Sequence, residues 1–317
     1  MNDIVYLFPG QGAQYQGMAL DFLGTGSAAV KKLFDTASSV CGKDMEALLN
    51  SDEETLKRTD VSQPTVTLAN LAAAAYLAEQ GWTPKACAGF SLGEYAALVC
   101  AGVIGAEDCF RLVKARGESM QRSADRLREA AGGDMSAGML AVIGLSPAQV
   151  EALIAQWGAA GLKDLYMANI NSPRQVAISG TAAALAEAAT RFKEAGAKRV
   201  LRLPVAGPFH SPLLADVAEA FSPVLETVKF GDPAIALYSN VTGKRVSSGE
   251  EAKKLALLQI TSPVRWVDEE AAIAADGGFS ACLEVGPGKV LQGLWKDSGS
   301  EIPCRAAGTV ADIGELP

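Results

Sequence analysis

Lys85-Ala86-Cys87-Ala88-Gly89-Phe90-Ser91-Leu92-Gly93-Glu94 opens with a short, largely apolar run, passes through a G-x-S-x-G pentapeptide and enters a stretch of helical composition that reaches Ala101. A buried strand followed at once by a helix is the unit from which parallel sheets are built. Glycines at 89 and 93 suit a sharp strand-to-helix turn, because such a turn brings backbone segments too close for side chains. Ser91 would then stand at the top of the turn, with the free N–H groups of a helix N-terminus, beginning at Leu92, facing any negative oxygen that forms beside it. A second reading stays open. Ser91 followed three residues later by Glu94 also fits a capping box, in which the serine only ends a helix.

The only histidine, His210 in Gly207-Pro208-Phe209-His210-Ser211-Pro212, bears on that choice. A serine hydroxyl is a weak nucleophile until a base takes its proton, and imidazole is the side chain suited to that at neutral pH. If Ser91 is activated by histidine, the base is His210, and the pairing points to acyl transfer.

Outward from the turn, strand and helix patterns alternate. Ile4–Phe8 reads as a buried strand running into Pro9-Gly10-Gln11-Gly12-Ala13-Gln14, a loop rich in backbone donors that either lines a site or merely connects. Helices are expected near Ala28–Ser39, Val66–Gln80, Leu92–Ala101 and Glu107–Arg128, giving an α/β core with a largely parallel sheet. Residues 137–205 read as six elements in the order βαββαβ, the ferredoxin-like plan. Its strands are expected at Met139–Ile143, Tyr166–Asn171, Gln175–Ser179 and Arg199–Val205, and Ser146-Pro147-Ala148-Gln149 starts its first helix with a capping box. The glycine-rich Ala130–Gly138 has a linker's composition, so 137–205 is expected as a small subdomain inserted between 1–136 and 206–317. His210 follows the insertion directly, at the cleft. A strand at Ala234–Ser239, a helix at Glu250–Gln259, a strand at Ala281–Val285 and a helix at Val290–Trp295 complete the alternation. Gly286-Pro287-Gly288-Lys289 lacks the spacing of a P-loop.

Arg116 belongs to neither face of its helix. Phe110, Val113, Gly117, Met120 and Ala124 mark the buried side, and Arg111, Lys114, Glu118 and Arg122 the wet one. Arg116, flanked at i±4 by Leu112 and Met120, either snorkels to water or presents a planar fork to a carboxylate. Asn169 and Asn171 share one strand face, as structural polars or as cleft residues.

With 317 residues the chain can bury a sizeable core. A net charge of −8 argues against general affinity for nucleic acid or anionic membrane. Ile4–Phe8 is too short for a signal peptide and no stretch approaches a membrane span, so a cytoplasmic location is expected. The six cysteines lack metal-ligand spacing and read as buried free thiols, and one histidine leaves little for zinc.

Taken together these segments resemble the malonyl-CoA:acyl-carrier-protein transacylase family. Phe8–Gln14 is similar to its N-terminal motif, Gly89–Glu94 to its nucleophile motif and Gly207–Pro212 to its histidine motif. Asn169–Pro173, Ser239–Gly243, Pro263–Trp266 and Glu284–Lys289 follow in the family's order. The resemblance implies an α/β-hydrolase-like domain carrying a ferredoxin-like insert, with Ser91 as nucleophile and His210 as base. It implies that the N–H groups of Gln11 and Leu92 form the oxyanion hole, that the main-chain carbonyl of Gln259 orients the histidine, that Arg116 holds the malonyl carboxylate and that Asn169 lies near the acyl group. Phe90 stands where the family usually has histidine at the acyl pocket, a departure bearing on acyl selectivity. The implied substrate and product are malonyl-CoA and CoA, with no tightly bound cofactor, and the partner is a phosphopantetheinylated acyl carrier protein. Lys193, Lys198, Arg199 and Arg202 could dock that acidic carrier, or form a solvated face. Loading of a polyketide synthase or malonate decarboxylase, simple serine hydrolysis, and carrier binding without catalysis are the competing readings.

Overall fold

A computed structural model describes residues 3–130 and 137–317. Most of the expected linker, at 131–136, and the expected boundary between 136 and 137 lie outside the described residues. The described strands are β1 (Ile4–Phe8), β2 (Ala86–Gly89), β3 (Gly138–Ile143), β4 (Leu165–Ser172), β5 (Gln175–Gly180), β6 (Arg199–Arg202), β7 (Ala236–Ser239), β8 (Lys244–Arg245), β9 (Ala281–Glu284) and β10 (Cys304–Ala306).

They form two sheets. One has the order β10-β9-β1-β2-β7-β8 and is parallel except where β8 returns against β7. Its strands are short and apolar on both faces, as a sheet covered on both sides requires. Tyr6, Phe8, Cys87, Leu237 and Leu283 pack into one apolar cluster, and Val5, Leu7, Ala86, Ala88 and Tyr238 into another. In register, Phe8 lies beside Gly89 and Leu7 beside Glu284, so the carboxyl ends of neighbouring strands emerge at one edge. Parallel sheets place their ligand sites at that edge, where successive loops converge.

The second sheet is antiparallel, in the order β4-β5-β3-β6, and belongs to the element sequence β3, helix Pro147–Ala159, β4, β5, helix Ala182–Glu194, β6. Both helices cover one face through Val150, Trp157, Leu185, Ala188 and Phe192. The capping box expected at Ser146 is present, with Gln149 reaching back to the Ser146 N–H at 2.9 Å.

Several expected boundaries move. The helix expected from Val66 begins at Thr59 and has Pro64 inside it. Its first turns carry no apolar periodicity, since Thr59, Ser62, Gln63 and Thr65 are all buried. Some of their polar groups are bonded: Thr65 Oγ1 donates to the Val61 carbonyl at 2.8 Å, and Gln121 Oε1, from another helix, accepts from the Thr59 N–H at 2.9 Å, while Thr59 Oγ1 and Gln63 Oε1 have no partner among the described residues. The last strand of the small unit ends at Arg202 rather than Val205. Leu203 adds one more bond to Met139, and Pro204, having no N–H, ends the pairing. Helices Ala215–Glu226 and Trp266–Asp276 and strand β10 were not expected. The first of these helices has Pro223 in its interior, which as a sequence signal argues against a helix.

Candidate active site

The strand-to-helix turn is as tight as its glycines imply. A Cβ on Gly89 would lie 2.0 Å from the Gly93 carbonyl carbon, and one on Gly93 would lie 2.0 Å from the Phe8 carbonyl oxygen. Ser91 sits at the apex with φ of 51°, a left-handed conformation that costs a non-glycine residue roughly 1–3 kcal/mol. The capping-box reading fails here. The helix starts at Gly93 with no side-chain cap. Glu94 turns inward and accepts from the Asn240 N–H at 2.9 Å and from Gln259 Nε2 at 3.0 Å.

Ser91 Oγ lies 2.7 Å from His210 Nε2. On the far side of the ring, Nδ1 is 2.9 Å from the Gln259 carbonyl oxygen. A carbonyl can only accept, so Nδ1 carries the proton and Nε2 offers its lone pair to the serine. His210 is buried and, like Ser91, has a positive φ, of 55°. Burial, helped by the nearby Arg116 charge, pushes its pKa down to about 4, so the imidazole is neutral at pH 7. That is the resting form a general base needs.

A cavity of about 140 Å³ opens beside the dyad and brings together residues from distant parts of the chain. Gln11, Phe90, Leu92, Arg116 and His210 reach it from the larger unit, and Met139, Asn169, Asn171 and Ala177 from the antiparallel sheet. Three roomier grooves of about 500 to 520 Å³ lie elsewhere, and none is lined by the dyad. The small cavity is therefore the candidate site, at a size that suits a short acyl group.

Arg116 does not snorkel. It is 1 % exposed and lines the cavity, with Nη2 donating to Gln259 Oε1 at 3.2 Å and Nε without a partner. Its guanidinium lies 5.5 Å from the Tyr95 ring centroid, and burial lowers its pKa from the usual value. A buried cation this sparsely bonded leaves donors that an anion in the cavity could take. The main-chain N–H groups of Gln11 and Leu92 make no hydrogen bond among the described residues, which leaves both donors available at the cavity.

Asn169 is buried at an irregularity in β4, where Ile170 N–H donates to the Val264 carbonyl at 2.8 Å. The Oδ1 atoms of Asn169 and Asn171 have no partner, although both residues line the cavity. The Phe90 ring stands edge-on to Trp266, centroids 5.4 Å apart, and forms part of the wall. All six cysteines are free, and four of them are buried. The residue whose part the sequence did not reveal is Asn240, fully buried, whose Oδ1 accepts from the Ser91 N–H at 2.7 Å. Its signal was a polar Ser239-Asn240 step at the end of an apolar strand.

The chain matches the family described as acyl transferase domain over residues 5–313. It is 38 % identical over 320 residues to the malonyl CoA-acyl carrier protein transacylase of Haemophilus influenzae, covering 100 % of this chain and 98 % of that one. Among solved structures, an acyl carrier protein S-malonyltransferase from Vibrio cholerae superposes with a TM-score of 0.90 at 35 % identity, covering 99 % of this chain and 100 % of the other. A malonyl-transacylase in complex with its type II polyketide synthase acyl-carrier protein gives 0.89 at 35 % identity, covering 98 % and 97 %. With this coverage along its length, and with the serine, histidine and arginine of the family's motifs meeting in one cavity, the chain belongs to the malonyl-CoA:acyl-carrier-protein transacylase family.

Proposed function

We propose that the protein transfers a malonyl group from malonyl-CoA to the phosphopantetheine thiol of an acyl carrier protein, supplying fatty-acid synthesis. The observation that carries this reading is the contact of 2.7 Å between Ser91 Oγ and His210 Nε2 in the cavity that also holds the buried Arg116. Ser91 Oγ attacks the thioester carbon as His210 Nε2 takes its proton. The Gln11 and Leu92 amides receive the resulting oxyanion. Collapse breaks the carbon–sulfur bond, the CoA sulfur leaves with the proton from His210, and a malonyl ester remains on Ser91. The carrier's thiol then gives its proton to His210 and attacks the ester carbon; collapse breaks the carbon–oxygen bond to Ser91, His210 returns the proton to Ser91 Oγ, and the malonyl group leaves on the carrier's sulfur.

Each donor to the oxyanion is worth roughly 100- to 1000-fold in rate, so the two amides weigh as much as the side chains. The Gln259 carbonyl holds the imidazole in the right tautomer, Arg116 takes the free carboxylate, and Asn169 and Phe90 bound the acyl group. No tightly bound cofactor enters these steps; malonyl-CoA is substrate and CoA product. The plan we infer is an α/β-hydrolase-like domain of 1–136 and 206–317 with a ferredoxin-like subdomain at 137–205. The strand order of the antiparallel sheet and its βαββαβ sequence support the second name. Lys193, Lys198, Arg199 and Arg202 are exposed on the small unit and serve as the candidate face for the acidic carrier. No helix among the described residues is long and apolar enough to cross a membrane; the location we propose is cytoplasmic.

The test is incubation with malonyl-CoA followed by mass analysis of the Ser91 peptide, then addition of a phosphopantetheinylated carrier. The expected result is a malonyl adduct that the carrier discharges. Free malonate released at the same rate without carrier would make the protein a hydrolase. The complex of a related transacylase with a polyketide carrier favours one second reading, delivery to a polyketide synthase, and preference between the two kinds of carrier decides it.

A further inference from the structure

We infer that Asn240 is a positioning residue for the nucleophile, its carboxamide standing in for a missing peptide unit of the parallel sheet, and that Glu269 fixes which way round that carboxamide sits. This rests on the reading of Ser91 as nucleophile.

Strands β2 and β7 pair in parallel through Ala86–Ala236 and Cys87–Leu237. Beyond that point the pairing between them stops, although β2 runs on to Gly89 before the turn that carries Ser91 and β7 runs on to Ser239. Asn240, the first residue after β7, fills the gap with its side chain. Nδ2 donates to the Gly89 carbonyl at 2.7 Å, and Oδ1 accepts from the Ser91 N–H at 2.7 Å. One carboxamide therefore grips the last strand residue and the apex of the turn together, as a neighbouring peptide group would.

The grip bears on chemistry because Ser91 is held at φ of 51°, where an L-residue does not rest unaided. That backbone geometry sets where Oγ meets His210 and where the Leu92 N–H points. Release of the Ser91 N–H would let the turn relax, misplacing both nucleophile and oxyanion donor by fractions of an ångström, enough to slow a reaction that depends on near-attack geometry.

A carboxamide can sit in either of two orientations, and a flipped Asn240 would present NH₂ to the Ser91 N–H. The Gly89 carbonyl, which can only accept, and the Ser91 N–H, which can only donate, oppose this, and the fully buried Glu269 adds an acceptor on the NH₂ side. Its Oε1 accepts from Asn240 Nδ2 at 2.7 Å, so the NH₂ must face Gly89 and Glu269. Gln259 Nε2 donates to Oδ1 at 3.1 Å from the other side. The Asn240 main chain is held as firmly, its N–H on Glu94 Oε2 at 2.9 Å and its carbonyl accepting from Arg265 N–H at 2.8 Å. Every polar atom of Asn240 is bonded, and no side-chain atom of it is left for substrate. It acts through Ser91 alone.

The test measures the rate of Ser91 labelling by a small fluorophosphonate, which reports nucleophile geometry without the malonyl group or Arg116, beside kcat and KM for malonyl-CoA. Asn240→Ala, with its folding checked by thermal melting, is expected to slow labelling and kcat on the order of 100-fold while KM moves less than about threefold. Glu269→Ala should lose a similar part of the labelling rate. Glu269→Gln, whose amide oxygen still accepts from Asn240, should recover most of it; if Asn240→Ala does not fold, this pair alone carries the test. Labelling of Asn240→Ala or Glu269→Ala at the wild-type rate, or equal losses in Glu269→Gln and Glu269→Ala, overturns the inference. Wild-type protein that takes no label at Ser91 overturns the nucleophile reading instead.

Discussion

Replacing Arg116 with alanine probes why the site would choose a malonyl group over an acetyl group. Its guanidinium has five N–H donors, yet among the described residues its acceptors are few, Gln259 Oε1 at 3.2 Å and the nearby Tyr95 hydroxyl, and Nε has none. Arg116 is 1 % exposed. A carboxylate that pairs with this fork gains a buried, bidentate ion pair, and removing one partner of such a pair costs about 3–5 kcal/mol. We take about 3 kcal/mol, because the cavity must open to admit the thioester arm. At 1.36 kcal/mol per factor of ten, that is roughly a 150-fold loss of kcat/KM for malonyl-CoA. Acetyl-CoA offers a methyl group to the same cation, so its kcat/KM should change by less than about threefold, or rise. The assay compares both thioesters in acyl-enzyme formation, with thermal melting as the control for folding. Arg116→Lys keeps the charge without the fork and should fall between. The same change removes a positive charge that helps depress His210, so the acid limb of the acetyl reaction should move upward from about pH 4. Equal losses for both thioesters in a stably folded variant would refute the carboxylate assignment.

The pH profile of kcat/KM reports the free enzyme's base, and His210 must be neutral to act; its pKa of about 4 keeps acylation intact down to near pH 5, whereas a limb at pH 6.5 would show an unperturbed imidazole. Since unfolding restores a pKa near 6.5, the neutral buried histidine contributes about 3 kcal/mol of stability above that pH, lost as pH falls from 6.5 to 4 and measurable by urea titration across that range. Gly93→Ala drives a Cβ to 2.0 Å from the Phe8 carbonyl and should cost about 3 kcal/mol or more, read as a fall in Tm; Gly293→Ala, at an exposed helical position with nothing within 4 Å, should raise Tm instead. Phe90→Ala enlarges a cavity of about 140 Å³ and unpacks Trp266, so kcat/KM for methylmalonyl-CoA relative to malonyl-CoA should increase; an unchanged ratio would place the acyl group away from this wall.

Much of this site could be read from local sequence. Gly89 carried its own explanation, because its clash with Gly93 arises within five residues, whereas the clash that requires Gly93 is with the Phe8 carbonyl of the neighbouring strand and belongs to the fold. The βαββαβ order of 138–202 followed from apolar periodicity, which survives in sequence because each element buries one face. The helix that starts at Thr59 did not follow, since its first turns bury polar side chains whose partners, such as Gln121, come from another element. The single histidine made His210 the only imidazole available to any serine, so the candidate pair was set before any distance was measured. Tertiary structure alone decided the rest. Whether Ser91 capped a helix or met His210, and whether Arg116 reached water or a cavity, turned on packing between segments far apart in the chain. Glu94, read locally as a cap partner, instead meets Asn240 and Gln259. Local sequence encodes dihedral preference and the direction of a face, whereas burial, protonation and the orientation of a carboxamide depend on what the other side of the core supplies.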